Sequence, residues 1–335
     1  MEKREVLVGE SLNPYLNLAV ESALLDAVLP SEIILYLWQN ERTVVIGKNQ
    51  DPYFELDVNL LSAEEGYLAR RRTGGGAVYH DQGNLNFSFI AGKDCYDLDA
   101  QFKLICAAVC AFGIEASPTG RNDIAADGRK FSGNAFLHLK HASLHHGTLL
   151  INTDAVKLAR YLTVDAAKLK KRGVESVKSR IVNLAELNAE ITPNNIAEEL
   201  IKVFSGAEKV KKLSFQEIAA RPETQEWRRK FESKKWLFGR FGEMKKIASE
   251  TYSWGLAGLY SDGKTVAFAT DGLFPRAVDF AEKAILSLKS TEKTIDLEEI
   301  IKITSGTEGL FESEKTCALE LIELFVKARK EIESV

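Results

Sequence analysis

Residues 70–81 read RRRTGGGAVYHD, so three arginines and three glycines come just before a partly alternating apolar segment. Glycines tolerate positive φ and let backbone N–H groups approach a ligand closely, which suits a concave anion site. The arginines add permanent charge and forked donors. The segment therefore predicts an anion-holding loop at the entrance to a strand, with a plain turn as the alternative.

Two further segments carry candidate chemistry. Residues 120–135, GRNDIAADGRKFSGNA, place Lys130 in a short glycine-bounded stretch where its amine can approach a small ligand. A solvated surface lysine is the alternative. Residues 145–152, HHGTLLIN, predict a strand entered through a histidine pair. Since neighbours in a strand point to opposite faces, His145 and His146 are not expected to share one metal ion.

Composition limits the class of protein. A chain of 335 residues with 45% hydrophobic content can bury a large core, and we expect two domains. The net charge of −4 gives no sign of a nucleic-acid-binding protein. We find neither an apolar run of the ~20 residues that cross a bilayer nor a signal-peptide core, so we expect a cytoplasmic protein without a membrane partner.

The order of the patterns predicts an α+β protein, because strands come first and helices follow without regular βαβ alternation. Partial alternation between Val78 and Ile90 predicts a half-buried antiparallel strand pair. Cys106 and Cys110, four apart on a helical pattern, are expected to share a face and pack in the core. The predicted strands are 33–38, 43–47, 77–79, 85–90, 130–139, 143–151, 253–260 and 265–269; the predicted helices are 14–28, 101–112, 154–162, 194–205, 215–232, 275–288, 297–304 and 313–333.

Taken together and in this order, these segments closely resemble the lipoate-protein ligase A family. The matching pieces are RRxxGGGxVxHDxGN at 70–84, GRND, GRKFSGNA, HHGTLLIN and KSRIVNL at 178–184, preceded by NPYLNLAVE at 13–21 and TVVIGKNQ at 43–50. The resemblance implies a biotin/lipoate ligase-like catalytic domain of mixed and antiparallel sheets flanked by helices. A small α+β accessory domain is then expected to follow, which places catalytic residues in 1–246 and the accessory domain in 247–335.

The resemblance implies an ATP-dependent ligase. Lipoate would attack the α-phosphate of ATP, and the lipoyl-AMP formed would then acylate a lysine of an acceptor protein. ATP and Mg²⁺ are the implied cofactors and lipoate the substrate. The implied partners are the apo-lipoyl domains of 2-oxoacid dehydrogenase E2 subunits and the glycine-cleavage H protein.

Site residues follow from the same resemblance. Lys130 is the principal catalytic candidate and Arg71 the next, as a phosphate and carbonyl clamp that also binds the nucleotide. The residues expected around the adenylate are Gly74, Gly75, Gly76, Ala77, Val78, Tyr79, Asn122 and Asp123. The residues expected around the acyl chain are Leu18, Val20, Val78, His80, His146 and Gly147. Core packing is the alternative for the apolar members and a structural role for the histidines. Asp123 either holds Mg²⁺ or orients Lys130.

Several alternatives stay open. An amidotransferase of the same fold would take lipoyl or octanoyl groups from a carrier; a biotin ligase and a non-catalytic lipoate-binding protein are the others. No cysteine lies between Gly147 and Cys317, which disfavours a thioester mechanism. The basic run 168–180 is either a solvated loop or an electrostatic dock for acidic lipoyl domains. Arg72 departs from the small polar residue of many relatives, so we expect it to face solvent or to have an acidic partner.

Overall fold

The computed structural model describes residues 3–120, 122–162, 180–207, 210–239, 242, 244–270, 275–289 and 312–332. The chain divides into two compact units, Met1–Leu237 and Phe238–Val335. The predicted helix 297–304 and most of the basic run, 168–179, lie outside the described residues. Among those that are described, no helix is both long and apolar enough to cross a membrane.

Strands and helices mix throughout the first unit. Its strands are β1 Lys3–Val8, β2 Glu32–Trp38, β3 Thr43–Ile46, β4 Tyr67–Arg70, β5 Val78–His80, β6 Asn84–Gly92, β7 Ala116–Thr119, β8 Asp123–Ala126, β9 Arg129–His138, β10 Ala142–Leu150 and β11 Lys211–Lys212. The helices that begin in it are α1 Pro14–Ala27, α2 Pro52–Glu55, α3 Val58–Ala63, α4 Leu98–Cys110, α5 Ala155–Tyr161, α6 Leu184–Leu187, α7 Pro193–Ser205, α8 Phe215–Ala219, α9 Pro222–Glu232 and α10 Lys234–Phe238.

The large sheet of this unit has eight strands in the order β11-β1-β2-β6-β10-β9-β8-β7. Strand β1 is parallel to β2 and β11, whereas β2, β6, β10, β9 and β8 pair antiparallel in succession. A second sheet, in the order β4-β3-β5, is parallel on one side of β3 and antiparallel on the other. Mixed sheets flanked by helices confirm the α+β prediction.

Helices cover both faces of the large sheet. Phe87 and Phe89 of β6 pack in one core with Phe102 of α4 and Phe204 of α7. Ile90 of the same strand belongs to a second core, formed with helices α1, α8 and α9. Strands β2, β6 and β10 are consequently buried along their whole length.

Helix α1 begins where the sequence predicts it. The Asn13 side chain accepts hydrogen bonds from the backbone N–H groups of Tyr15 and Leu16, and Pro14 occupies the first helical position. Both features satisfy the open N-terminus of a helix. Because α1 lies against the sheet and under α9, residues 17–25 are all buried, including the polar Glu21.

The predicted strand pair between Val78 and Ile90 is wrong. Strand β5 pairs with β3 in the small sheet, and β6 pairs with β2 and β10 in the large one. The alternation in β6 is real, but its polar residues Asn84, Asn86 and Ser88 are buried like the apolar ones. They lie on the face of the sheet that carries a cavity, not on a face exposed to solvent. Alternation with a period of two shows that one face is polar, but it does not show whether that face meets solvent or a cavity.

Two helix predictions need correction. The expected helix 215–232 is two helices, because Arg221 is extended (ψ 142°) before Pro222, as residues before proline tend to be.

The two cysteines of α4 differ in burial. Cys106 is half-buried, but Cys110 is exposed, so Cys110 does not pack in the core. The buried side of α4 is formed by residues 101, 102, 105, 108 and 109, and Cys110 lies at the end of the helix beyond that stripe.

The second unit is also α+β. Strands β12 Lys245–Tyr252, β13 Gly255–Ser261 and β14 Val266–Thr270 form an antiparallel sheet, and α11 Pro275–Lys289 and α12 Glu312–Ile332 follow. The antiparallel pair formed by β13 and β14 is confirmed; β12 was not predicted, because its charged sequence KKIASETY lacks a clear apolar face. The apolar stripe of α12 packs in the core of this unit, through Leu321, Ile322 and Phe325 among others.

The exposure of Cys110 predicts a difference in thiol reactivity. Burial, followed by the charges of Glu320 and Glu314, raises the pKa of Cys317 to about 12. At pH 8 the thiolate fraction of such a thiol is about 1000-fold smaller than that of an ordinary cysteine. We expect Cys110 to react rapidly with a disulfide reagent in the native protein and Cys317 to react only on unfolding. Cys110→Ser should remove one fast thiol; an unchanged count of fast thiols would contradict the exposure.

Candidate active site

The three arginines of residues 70–72 point to three different environments. Arg70 is buried and donates to the backbone carbonyls of Gly47, Gln50 and Leu237, among others. Arg72 lies 3.1 Å from a carboxylate oxygen of Asp26 and 4.4 Å from the ring centroid of Trp227. The expected acidic partner of Arg72 is thus confirmed. Of the three, Arg71 alone is among the residues that line the cavity described below.

Arg71 holds the glycine-rich loop from inside. Its Nη2 donates to the carbonyls of Gly74 (2.7 Å) and Gly76 (2.8 Å), and its Nε donates to Thr73 Oγ1 at 3.0 Å. Gly75 has φ +94°, a conformation that favours glycine. Burial lowers the pKa of Arg71 to about 10, so the guanidinium stays charged at neutral pH.

Lys130 forms an ion pair with Asp123, with 2.7 Å between Nζ and Oδ1. Both side chains are partly exposed, at 39% and 41%. They come from the adjacent strands β9 and β8, which a tight turn with positive φ at Asp127 and Gly128 joins. The Lys130 backbone N–H donates to the Arg180 carbonyl, and the Val182 N–H donates to the Lys130 carbonyl. The described part of the KSRIVNL segment therefore meets this lysine.

The two histidines of β10 face opposite sides of the sheet, as predicted. His146 Nδ1 lies 2.8 Å from Glu21 Oε1, and its Nε2 lies 2.8 Å from Thr73 Oγ1. His145 is packed among phenylalanines, and burial lowers its pKa to about 3. Its ring is therefore neutral, and Nε2 donates to Asn134 Oδ1 at 2.9 Å. This bond orients an amide that donates from Nδ2 to the Asn122 carbonyl.

His80 is also buried and neutral. Burial, followed by the charges of Arg71 and His146, lowers its pKa to about 3. Asn40 Nδ2 lies 3.1 Å from His80 Nδ1, and the side-chain oxygen Oδ1 of Asn40 accepts from Asn17 Nδ2. Because this bond commits the Asn40 amide nitrogen as the donor, Nδ1 accepts and the ring proton is on Nε2.

These elements surround one cavity of about 200 Å³. Its wall combines charged groups, among them Arg71 and Lys130, with apolar side chains such as Trp38 and Val45. The full lining is Leu18, Trp38, Val45, Arg71, Gly75, Gly76, Ala77, Val78, His80, Asn86, Asn122, Asp123, Lys130, Gly133, Asn134, Ala135, His146, Gly147 and Thr148. Such a site can hold a ligand with both an anionic and an apolar part.

Most of the residues singled out in the sequence meet here, but three do not line the cavity. Val20 is a fully buried core residue on another side of α1. Tyr79 is buried against Tyr161, since neighbours in β5 point in opposite directions. Gly74 is exposed, with no atom near the position of a Cβ.

Sequence reasoning missed several lining residues. Gly133, Asn134, Ala135 and Thr148 stand inside the segments GRKFSGNA and HHGTLLIN, so the signal was available although no role was assigned. Trp38 and Asn86 come from the core strands β2 and β6. For Asn86 the signal was the polar side of the alternation in β6, and Val45 lies inside the segment TVVIGKNQ. For Trp38 there was no signal.

Comparisons with known proteins identify the family. A model of the lipoyl protein ligase A/B catalytic domain matches residues 13–205. Lipoate-protein ligase A of Bdellovibrio bacteriovorus is 36% identical over 329 residues, covering 90% of this chain and 97% of that protein. The chain therefore belongs to the lipoyl protein ligase A/B family. Its activity is that of a lipoate-protein ligase.

Solved structures agree with this assignment. P. falciparum LipL1 in complex with lipoate is 29% identical with a TM-score of 0.63, covering 97% of this chain and 99% of that chain. A lipoate-protein ligase A bound with ATP is 27% identical, with a TM-score of 0.60 and coverage of 71% and 99%. A bipartite ligase described with its E2 lipoyl domain, from Thermoplasma acidophilum, is 26% identical, with a TM-score of 0.64 and coverage of 71% and 97%.

The close packing around Gly147 predicts a steric effect. A Cβ at this position would lie 2.6 Å from Phe87 Cζ and 2.7 Å from Asn134 Oδ1. We expect Gly147→Ala to lower the free energy of unfolding by about 1–3 kcal/mol, measured by urea denaturation. Gly74→Ala is the matched control, because nothing lies within 4 Å of its Cβ position, and it should change stability by less than about 0.5 kcal/mol. Equal effects of the two substitutions would contradict the packing.

Proposed function

We propose that this ligase activates free lipoate with ATP inside the cavity and transfers the lipoyl group to a lysine of an acceptor domain. The observation that carries the proposal is the meeting of Lys130, Arg71 and an apolar wall around one cavity. A carboxylate does not acylate an amine in water, so it needs activation. Lipoate would attack the α-phosphorus of ATP, releasing pyrophosphate, and the acceptor lysine would then attack the lipoyl-AMP carbonyl, releasing AMP.

Lys130 is the residue that we place at the reacting atoms. Its ammonium reaches the cavity from β9 and is held at 2.7 Å by Asp123. In the first step it would stabilise negative charge on the carboxyl and α-phosphoryl oxygens. In the second it would stabilise the oxyanion at the lipoyl carbonyl. Fixed donors aimed at developing charge are a large source of catalysis.

Arg71 and the glycine-rich loop would hold the nucleotide. The guanidinium is charged and buried, and it fixes the carbonyls of Gly74 and Gly76. Their carbonyls point to Arg71, so the backbone N–H groups of the loop are the natural ligands for phosphate oxygens. The cavity is lined by four consecutive residues of this loop, Gly75, Gly76, Ala77 and Val78, and also by Asn122. Their presence in one wall supports an adenylate site there.

The apolar part of lipoate would lie against the apolar wall. Leu18, Trp38, Val45 and Val78 line the cavity, and His80 and His146 add polar edges to it. His80 is neutral and buried, so it suits contact with an uncharged tail.

The carboxylate of Asp123 is suited to bind Mg²⁺ as well as to pair with the Lys130 ammonium. Mg²⁺ bound with a nucleotide uses one or two protein carboxylates, with phosphate oxygens and water completing the set. Asp123 is the carboxylate among the lining residues, so it would be the protein ligand. The ion would neutralise phosphate charge. We propose that the main role of Asp123 is nevertheless to orient Lys130, because their ion pair is already formed.

The proposed acceptors are apo-lipoyl domains of 2-oxoacid dehydrogenase E2 subunits and the glycine-cleavage H protein. Support comes from the Thermoplasma acidophilum relative, which is described with its own E2 lipoyl domain. An exposed acceptor lysine could reach Lys130 because this part of the cavity is open, with both side chains of the ion pair partly exposed.

We expect Lys130→Ala to lower the rate of lipoylation by about 1000-fold, since it removes an oxyanion donor. The measurement is the intact mass of an unmodified lipoyl domain incubated with the protein, lipoate, ATP and Mg²⁺. Lys140→Ala is the matched control, because Lys140 is an exposed lysine at the end of the same hairpin and does not line the cavity.

The same assay separates the ligase from a transferase of the same fold. Modification that needs ATP and free lipoate supports the proposal. Modification obtained only from a lipoylated or octanoylated carrier, without ATP, would overturn it. Full activity of Lys130→Ala would remove this residue from the mechanism.

We expect Asp123→Asn to lower kcat by about 100-fold without changing the Mg²⁺ concentration that gives half-maximal rate. The asparagine loses the charge that holds Lys130, and a displacement of about 1 Å at a reacting group costs about this much. The measurement is a Mg²⁺ titration of the initial rate. A large rise in the required Mg²⁺ concentration with little change in kcat would assign Asp123 to the metal instead.

A further inference from the structure

Glu21 is a buried carboxylate to which the mechanism above gives no role. It ends the sequence segment NPYLNLAVE and lies on α1, three residues after Leu18 of the cavity wall. Its side chain is 2% exposed. Glu21 does not line the cavity but contacts His146, which does, so it stands directly behind the cavity wall. A carboxylate buried to this degree requires hydrogen-bond partners.

Two branches of hydrogen bonds meet at Glu21 Oε1. In one, Trp38 Nε1 donates to Ser88 Oγ at 3.0 Å, and Ser88 Oγ donates to Glu21 at 2.5 Å. In the other, His146 lies 2.8 Å from Glu21 through Nδ1 and 2.8 Å from Thr73 Oγ1 through Nε2. Arg71 Nε then donates to that Thr73 oxygen at 3.0 Å. We call these five bonds and six side chains the Glu21 relay.

The chemistry of the groups fixes the direction of every bond in the relay. A carboxylate oxygen only accepts, so His146 carries its proton on Nδ1. The hydroxyl proton of Thr73 then has His146 Nε2, at 2.8 Å, as its acceptor. The Thr73 oxygen is then free to accept from Arg71, whose guanidinium only donates. Every proton therefore points toward Glu21, and a change at this carboxylate alters the acceptor that Arg71 Nε meets.

The branch through His146 ends on the residue that shapes the glycine-rich loop. Arg71 fixes the carbonyls of Gly74 and Gly76 with Nη2, while its Nε donates both to Thr73 Oγ1 at 3.0 Å and, at the longer distance of 3.2 Å, to the Gly74 carbonyl. The negative charge of Glu21 also raises the pKa of Arg71 against the effect of burial. Helix α1 is thus connected to a loop on the small sheet through β10 of the large sheet.

We propose that Glu21 is a positioning residue that holds Arg71, and with it the glycine-rich loop, in the conformation that binds ATP. This inference rests on the proposed function, in which the loop binds phosphate. Glu21 is not among the residues that line the cavity, so it acts through His146 and Thr73. The branch through Ser88 holds Trp38 in the apolar wall and is a separate task of the same carboxylate.

The test is a double-mutant cycle on the KM for ATP in the lipoylation assay. Glu21→Leu removes the acceptor with little change in volume, and Thr73→Val removes the hydroxyl. We expect each substitution to raise the KM for ATP about tenfold, the effect of losing a buried hydrogen bond. The double variant should lie within about twofold of the larger single effect, because both break one chain. A roughly 100-fold, multiplicative effect would overturn the relay.

Conservative and branch variants provide the controls. Thr73→Ser keeps the hydroxyl and Glu21→Gln keeps an acceptor oxygen, so each should raise the KM for ATP by less than about threefold. Ser88→Ala breaks only the branch to Trp38; it should raise the KM for lipoate and leave the KM for ATP within about twofold. An equal rise of the KM for ATP in Ser88→Ala would reduce Glu21 to a general packing role and overturn the proposal.

Hydrogen exchange of the amides of residues 73–78, measured by mass spectrometry without substrates, gives a readout that does not need activity. We expect faster exchange in Glu21→Leu and Thr73→Val and wild-type exchange in Ser88→Ala. If Glu21→Leu does not fold, Thr73→Val alone must accelerate exchange in this segment, and unchanged exchange would overturn the proposal. A wild-type protein that fails to lipoylate would contradict the proposed function, while the exchange comparison still decides the relay.

Discussion

The buried guanidinium of Arg71 is the constraint around which the site is built. A charge that is 6% exposed must satisfy its donors within the protein, and here the partners are carbonyls of Val45, Gly74 and Gly76 and the hydroxyl of Thr73. The loop turns its carbonyls inward to meet these donors, which requires the positive φ of Gly75. The glycine-rich loop thus acquires its shape from a buried cation, whereas the neighbouring Arg70 and Arg72 bind other segments of the chain.

Strand β6 has the complementary task of separating an apolar core from a polar cavity. Phe87 and Phe89 face the core under α4 and α7, and Asn86 and Ser88 face the cavity side. The adjacent strand β10 follows the same division, with His145 in the aromatic core and His146 toward the cavity. Because both strands are central in the sheet, their polar side chains are held by fixed neighbours. This rigidity gives the hydrogen bonds of the site defined directions.

Elements with strong local signals were predicted well. Helix α1 begins at the Asn13 cap and Pro14. The glycine-rich segment, Lys130 and the HHGTLLIN strand, which the sequence predicts to form one site, all contribute to the wall of one cavity. Errors arose where two local patterns are equivalent. Alternation between Val78 and Ile90 predicted a half-buried antiparallel strand pair, and Cys110 shared an apparent helix face with Cys106. In both cases the missing information was what lies on the other side of the element.

The sequence by itself determined the α+β class, the family resemblance and most of the residues that surround the cavity. These follow from glycines, caps and short segments whose chemistry is local. Only the tertiary structure decided that Arg70 and Arg72 lie away from the cavity, that Val20 and Tyr79 belong to the core, and that Trp38 and Asn86 line the site. It alone also joined Glu21 to Arg71. Those relations depend on contacts between residues tens of positions apart, and a side chain's chemistry does not specify which distant partner the fold will bring to it.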